Sequence, residues 1–272
     1  MIAVVTGAGS GIGLSCVAKL LIRDYIVIAL VKNKLGEERL LSSLALKNIR
    51  VHKLYIFSAD FENVNQVQEM INECKNVIEG CGNKLDVFIN CAGIYSSLNF
   101  KANSGNEIHM VINFLTPIKI LKELSNYLNN SVNARVVFLF PNLNKNSSCF
   151  GKNSNNFKKA FYNSKLCLAL YLHELSKKCE NYNIYLFMPR PSTTDFYIKN
   201  TSGYVSSLGL LRKMFSLPPE YSAEQIIMLA TRPEFSNESG ALYKELKPVP
   251  LPKYMYNKKL IQKFNAYAYQ PL

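Results

Sequence analysis

No hydrophobic run in this chain is long enough to cross a bilayer. The seven cysteines, at 16, 74, 81, 91, 149, 167 and 179, form no CxxC pair, and their number is odd. That pattern excludes a disulfide framework and reads as reduced thiols. The three histidines, at 52, 109 and 173, show no metal-ligand spacing, so no metal is expected. Low-complexity blocks, internal repeats and linkers are also missing, and 1–272 reads as one domain. A strand-like run begins at Ile2, leaving no place for a signal peptide, and a cytoplasmic protein is expected. Acidic residues are few against lysine and arginine, which gives a net charge of +13. The lysines are dispersed, with a mild cluster from Lys244 to Lys263, and read first as a solvated surface. Peripheral membrane contact is the second reading of that charge. No basic stripe interleaved with aromatics occurs, and nucleic acid is not expected as a partner.

What the chain does have is a sizeable apolar fraction, 48%, and a first stretch that sets up the rest. Ile2-Ala3-Val4-Val5-Thr6 is a short β-branched run. It leads into Gly7-Ala8-Gly9-Ser10-Gly11-Ile12-Gly13, and Leu14, Val17, Ala18, Leu20 and Leu21 then recur at helical spacing. Strand, glycine turn and helix together make a dinucleotide site: the glycines admit a tight turn and close approach of the backbone. The helix N-terminus offers free N–H groups to phosphates. The alternative is a glycine-capped turn with no ligand. Further strands are read at 25–31, 49–57, 85–90, 134–140, 184–189 and 239–243. Helices are read at 35–46, 64–78, 108–128, with Pro117 inside it, and 157–179. Strand–helix alternation predicts an α/β doubly wound Rossmann domain, a parallel sheet of about seven strands with helices on both faces. Right-handed crossovers then place the strand C-termini, and every motif, along one rim.

The spacing Thr6-Gly7-x-x-x-Gly11-x-Gly13 resembles the glycine signature of the short-chain dehydrogenases/reductases, not the GxGxxG of two-domain dehydrogenases. Asn90-Cys91-Ala92-Gly93 is similar to that family's Asn-Asn-Ala-Gly motif. Asp60, followed by Phe61, resembles its adenine-contacting acid, and Asn113 matches the helical Asn of its catalytic tetrad. Asn163-Ser164-Lys165-Leu166 matches the end of its Tyr-x-x-x-Lys signature. Pro189 and Thr194 resemble its Pro-Gly…Thr stretch. Residues 208–230 are loosely similar to the retinol-dehydrogenase-like branch. The resemblance implies an oxidoreductase acting on a small hydrophobic alcohol or carbonyl. It implies a nicotinamide dinucleotide held by Gly7, Gly9, Ser10, Gly11, Ile12, Gly13, Lys32, Asn33, Asp60, Phe61, Asn90, Ala92, Gly93, Lys165, Pro189 and Thr194. The second strand ends Val31-Lys32-Asn33 with no acid to repel a 2′-phosphate, and Lys32 is placed to pair with one. NADP(H) is therefore expected rather than NAD(H).

The proton-transfer half of the pattern is broken. In the family that the chain resembles, a tyrosine one helical turn before the lysine serves the substrate oxygen, and the neighbouring charge can lower its pKa. Four residues before Lys165 stands Phe161, which has no hydroxyl. Tyr162 is next to it but lies about 100° round a helix, out of place unless a bulge or a tighter turn shifts the register. Where the family carries serine after the fifth strand, this chain has Phe140-Pro141, and Arg190 replaces the glycine after Pro189. Asn142, Ser147, Ser148 and Ser154 are the polar residues at hand in the following loop. Three readings stand: an oxidoreductase using Asn113, Tyr162 and Lys165; a pseudoenzyme that senses nucleotide or scaffolds a partner; and a purely structural fold. Helices 108–128 and 157–179 are apolar on more than one face, as in Leu166, Leu168, Ala169, Leu170 and Leu172. The resemblance, in which the equivalent helices pair across a twofold axis, implies a homodimer through them, the alternative being packing by the chain's own neighbouring elements. Residues 200–235 are read as a cover over the substrate cleft and 248–272 as a C-terminal tail.

Overall fold

A computed structural model describes residues 1–96, 107–143, 156–190, 217–235, 238–259, 261, 262 and 264. Eight strands form one sheet in the order β3-β2-β1-β4-β5-β6-β7-β8. They are β1 (Ile2–Thr6), β2 (Ile26–Val31), β3 (Leu54–Ser58), β4 (Val87–Asn90), β5 (Ala134–Leu139), β6 (Tyr182–Phe187), β7 (Leu242–Lys244) and β8 (Lys247–Val249). The first seven are parallel, and β8 returns antiparallel on β7. Glu245 and Leu246 make that hairpin with positive φ values of 51° and 60°. The central strands read as continuous apolar runs, Ala-Val-Val in β1 and Val-Phe-Ile in β4, because helices bury both faces of the sheet. The strand order reverses at β1–β4, and the crevice at a reversal is where open α/β sheets bind ligands.

On one face lie α1 (Gly11–Ile22), α2 (Lys34–Leu46) and α7 (Pro219–Thr231); their apolar residues share a core with Ala3, Val5 and Val27. On the other lie α3 (Val64–Gly80), α4 (Ile108–Met110), α5 (Thr116–Asn129) and α6 (Phe157–Ser176), packed on Ile28, Phe88 and Val136. The helix expected at 108–128 is present, but Val111–Leu115 forms a π-helical turn within it. The cause is Pro117, which has no N–H to give the carbonyl four residues back, at Asn113, and whose ring crowds that carbonyl.

Two expectations about the C-terminal third need correcting. Residues 219–231, read as part of a cleft cover, form α7 and belong to the core beside α1. Ala223, Ile226, Ile227 and Leu229 are buried there, and Glu224 pairs with Lys19 and Arg23 at 2.6 and 2.7 Å. The buried Arg135 of β5 donates to the carbonyls of Leu229 and Arg232, neutralising the C-terminal end of α7. Residues 200–216, the first part of that expected cover, lie outside the described residues. The second correction concerns the tail. It contains β8, and its Leu251, Met255 and Phe264 are buried against the α5–α6 layer. The ring of Phe264 stands 6.1 Å from that of Phe114. Residues 164–172 of α6 are all buried in a single chain, so the helix without a polar face needs no second copy to cover it. No helix among the described residues is long and apolar enough to cross a membrane.

Candidate functional site

The turn between β1 and α1 is built so that only glycine fits at its two closest approaches. Gly7 has φ +66°, and a Cβ on Gly13 would lie 2.3 Å from the Gly7 carbonyl oxygen. Ser10 precedes the first turn of α1 with extended backbone and no side-chain cap, and that turn contains no acid. Gly9, Gly11 and Ile12 are half-buried around it. The uncapped N–H groups and the absence of Cβ atoms fit the pyrophosphate of a dinucleotide.

At the far end of the crevice, Lys32 and Asp60 approach to 3.3 Å, with side chains 61% and 38% exposed. Such an exposed pair contributes little and opens readily. Asn33 is committed to structure, since its Oδ1 caps α2 by accepting from the Gly36 amide at 3.1 Å. Asp60 accepts from the Glu62 amide, and the carbonyl of the buried Phe61 accepts from Thr116 Oγ1 at 2.9 Å.

The stretch 90–96 is fastened from both sides. Asn90 is fully buried and accepts from Thr6 Oγ1 at 2.7 Å, while the Ala92 amide donates to the same Thr6 hydroxyl at 3.1 Å. This brings Ala92 against Gly7, whose added Cβ would meet the Ala92 nitrogen at 2.8 Å. Gly93 is half-buried. Beyond it, Asn113 in the π turn clamps residue 94: its Oδ1 accepts from the Ile94 amide at 2.7 Å and its Nδ2 donates to the Ile94 carbonyl at 3.0 Å. The same Nδ2 donates to Ser164 Oγ at 3.1 Å, tying the turn to α6.

Helix α6 is α-helical throughout, with no inserted residue, so its register is the one that spacing dictates. Phe157, Phe161 and Lys165 share one stripe. Phe161 is 1% exposed and packs edge-on against Tyr95 and His109. Tyr162 is half-buried, with its ring 5.3 Å from that of Phe161. Lys165 is 5% exposed; its Nζ donates to the Leu139 carbonyl at 3.1 Å and stands 5.8 Å from the centre of the Phe140 ring. Burial pulls its pKa from the ordinary 10.5 down to about 8, against a small opposing pull from Cys91. Phe140 is itself buried, its amide donating to the Phe187 carbonyl at 2.8 Å, and Pro141 beside it is half-buried. An aromatic ring and an imide therefore stand where a hydroxyl was sought. Pro189 is half-buried just past β6, and Arg190 is turned away into an ion pair with Glu245. Thr194, Ser147, Ser148 and Ser154 lie outside the described residues.

Glu107, His109 and Tyr95 carried no motif that would mark them, and Thr6 was read only as part of the glycine signature. Thr6 links β1 to the 90–92 turn through its hydroxyl. Glu107 caps α4 and holds His109 Nδ1 at 2.5 Å, while His109 Nε2 accepts from the Ser96 amide at 3.3 Å. Tyr95 lies between these pinned residues. The signal available was the position of His109 four residues before Asn113, on the same helical stripe. No cluster of metal-ligating side chains occurs among the described residues.

The profile of the family described as short chain dehydrogenase matches residues 1–202. Retinol dehydrogenase 14 of Homo sapiens is 26% identical over 281 residues, which spans 92% of this chain and 80% of that protein. Its counterpart in Mus musculus is 24% identical over 273 residues with the same coverage. Among solved structures, a short chain dehydrogenase from Shigella flexneri complexed with NADP superposes with a TM-score of 0.69 at 16% identity, covering 89% of this chain and 95% of that one. A variant of actinorhodin polyketide ketoreductase with NADPH gives 0.68 at 17% identity over 89% and 94%. These two likenesses concern the fold.

Proposed function

The chain belongs to the short chain dehydrogenase family, and from that membership we propose that it is an NADP(H)-dependent oxidoreductase acting on a hydrophobic alcohol or its carbonyl counterpart. The observation that carries this reading is Lys165. A buried ammonium held by one backbone carbonyl and an aromatic face destabilises the fold, and such groups cluster at working sites. Its neighbours supply the reason to keep it. Gly7, Gly11 and Gly13 with the first turn of α1 would hold the pyrophosphate. Lys165 would hold the nicotinamide ribose, braced through Ser164 by Asn113. When bound, the nicotinamide supplies or accepts the hydride. Lys32 is the residue set to choose the phosphorylated form: its head is exposed, its present partner is weak, and β2 ends without an acid.

Direct titration tests both parts. NADPH is expected to bind more tightly than NADH, and Lys32→Glu should reverse that order by about tenfold or more, one charge pair's worth. Hydride transfer to a panel of long-chain aldehydes and ketones, read by loss of NADPH absorbance, tests the activity. Equal affinity for both nucleotides in the natural chain and in Lys32→Glu refutes the cofactor choice.

A second reading is favoured by one observation, the Phe161 ring at the family's tyrosine position. On that reading the chain binds nucleotide without turnover and acts as a sensor or a scaffold. Tight NADPH binding with no hydride transfer across the panel selects it.

A further inference from the structure

The phenol missing from α6 has a neighbour on the opposite wall. Tyr95 stands two residues beyond Gly93, 9% exposed, and its ring packs edge-on against the Phe161 ring at 5.0 Å and the Phe157 ring at 5.3 Å. It therefore faces the α6 stripe that ends one turn later in Lys165. Its backbone is pinned on both sides. Asn113 grips the amide and carbonyl of Ile94, and His109 accepts from the amide of Ser96. Because Nε2 of His109 accepts, Nδ1 carries the proton, and it is donated to Glu107. Asn113 directly, and Glu107 through His109, thus fix the backbone on either side of Tyr95, while Phe157 and Phe161 pack against its ring, the preorganisation that proton transfer requires.

We propose that Tyr95 is the catalytic acid–base of this site, taking over from the wall after β4 the role that the Phe161 position has lost. This rests on the oxidoreductase reading above. In the reducing direction, the phenolic O–H bond of Tyr95 breaks and a new O–H bond forms on the substrate oxygen. The carbonyl carbon is reduced by two electrons delivered with a hydride from the reduced nicotinamide, and the phenolate recovers its proton from water.

The test is made on the full chain. Tyr95→Phe is expected to lower carbonyl reduction about 10²- to 10⁴-fold, the usual worth of a positioned acid, while the NADPH dissociation constant stays within twofold. Phe161→Tyr in the Tyr95→Phe background, which returns a phenol to the α6 stripe, is expected to recover at least tenfold of the loss. That rescue keeps the test decisive if Tyr95→Phe also loosens the fold. A readout free of turnover comes from 3-nitrotyrosine placed at position 95. Its visible absorption should shift when a long-chain tertiary alcohol, which cannot be oxidised, is added. Turnover that survives Tyr95→Phe within threefold, or a nitrophenol band that ignores the alcohol, overturns the assignment and leaves the oxidoreductase reading standing. A natural chain that binds NADPH and reduces nothing in the panel removes both.

Discussion

Lys165 is the residue at which stability and chemistry pull in opposite directions. Its pKa is about 8 in the folded chain because burial disfavours the charged form, whereas the unfolded chain exposes it at the ordinary 10.5. Between those values the unfolded state binds more protons than the folded state, so stability rises with pH across that window. Below about pH 8 both states hold the proton, and the penalty is constant, at most about 3 kcal/mol. Lys165→Met removes it. Without nucleotide, Lys165→Met should unfold at higher urea than the natural chain at about pH 7, and the gap should narrow toward pH 10. The difference between the two proteins is the quantity to follow, since Tyr185, whose pKa burial raises to about 12, works the other way above pH 10. A gap that does not change with pH means the ammonium is not paying a burial penalty.

The π turn at Val111–Leu115 shows how one element serves the site. Asn113 reaches Ile94 and Ser164 because the turn rotates it into that position, and the turn exists because residue 117 cannot donate to the Asn113 carbonyl. Pro117→Ala restores the missing donor and allows an ordinary α-helix through this stretch. The expected outcome is a melting temperature equal to or above that of the natural chain, with hydride transfer lowered tenfold or more, because Asn113 leaves its clamp. Calorimetry and turnover on the same samples check it. Equal turnover in the variant places the cause of the turn elsewhere. This element also marks how far the sequence could be read. The apolar period located a helix at 108–128, and the proline was visible inside it. The π register was not, because an internal proline can equally kink or end a helix, and the contacts that Asn113 makes from the turn are to residues 19 and 51 positions away. Central strands were legible because burial on both faces leaves continuous apolar runs, but β8 rests on a short polar hairpin with no such run. In the site, Lys165 was legible from its resemblance to the end of the Tyr-x-x-x-Lys signature, and Phe161 from the i, i+4 spacing counted back from it. Tyr95 was not, because its partners Phe157 and Phe161 lie more than 60 residues on in the chain.

At the scale of the molecule, the C-terminal segment decides how the α5–α6 layer meets its surroundings. A helix with apolar residues on all sides must be covered, and the two candidates were a second chain or this chain's own neighbouring elements. Leu251, Met255 and Phe264 supply the cover, with Phe264 meeting Phe114, which in turn contacts Tyr171 of α6. Removing that ring leaves a hole against Phe114 and opens an apolar patch in the layer that Phe114 shares with α6. Phe264→Ala should therefore cost about 3 kcal/mol or more in chemical denaturation, the range for a buried phenylalanine. The exposed patch gives a second, concentration-dependent effect: light scattering should show association in Phe264→Ala at concentrations where the natural chain shows none. The two readouts separate the possible assemblies. If the natural chain pairs through α5 and α6 with its C-terminal segment displaced, Phe264→Ala loses little stability and the oligomeric state does not change. A large loss of stability together with new association means that the segment seals the layer within each single chain.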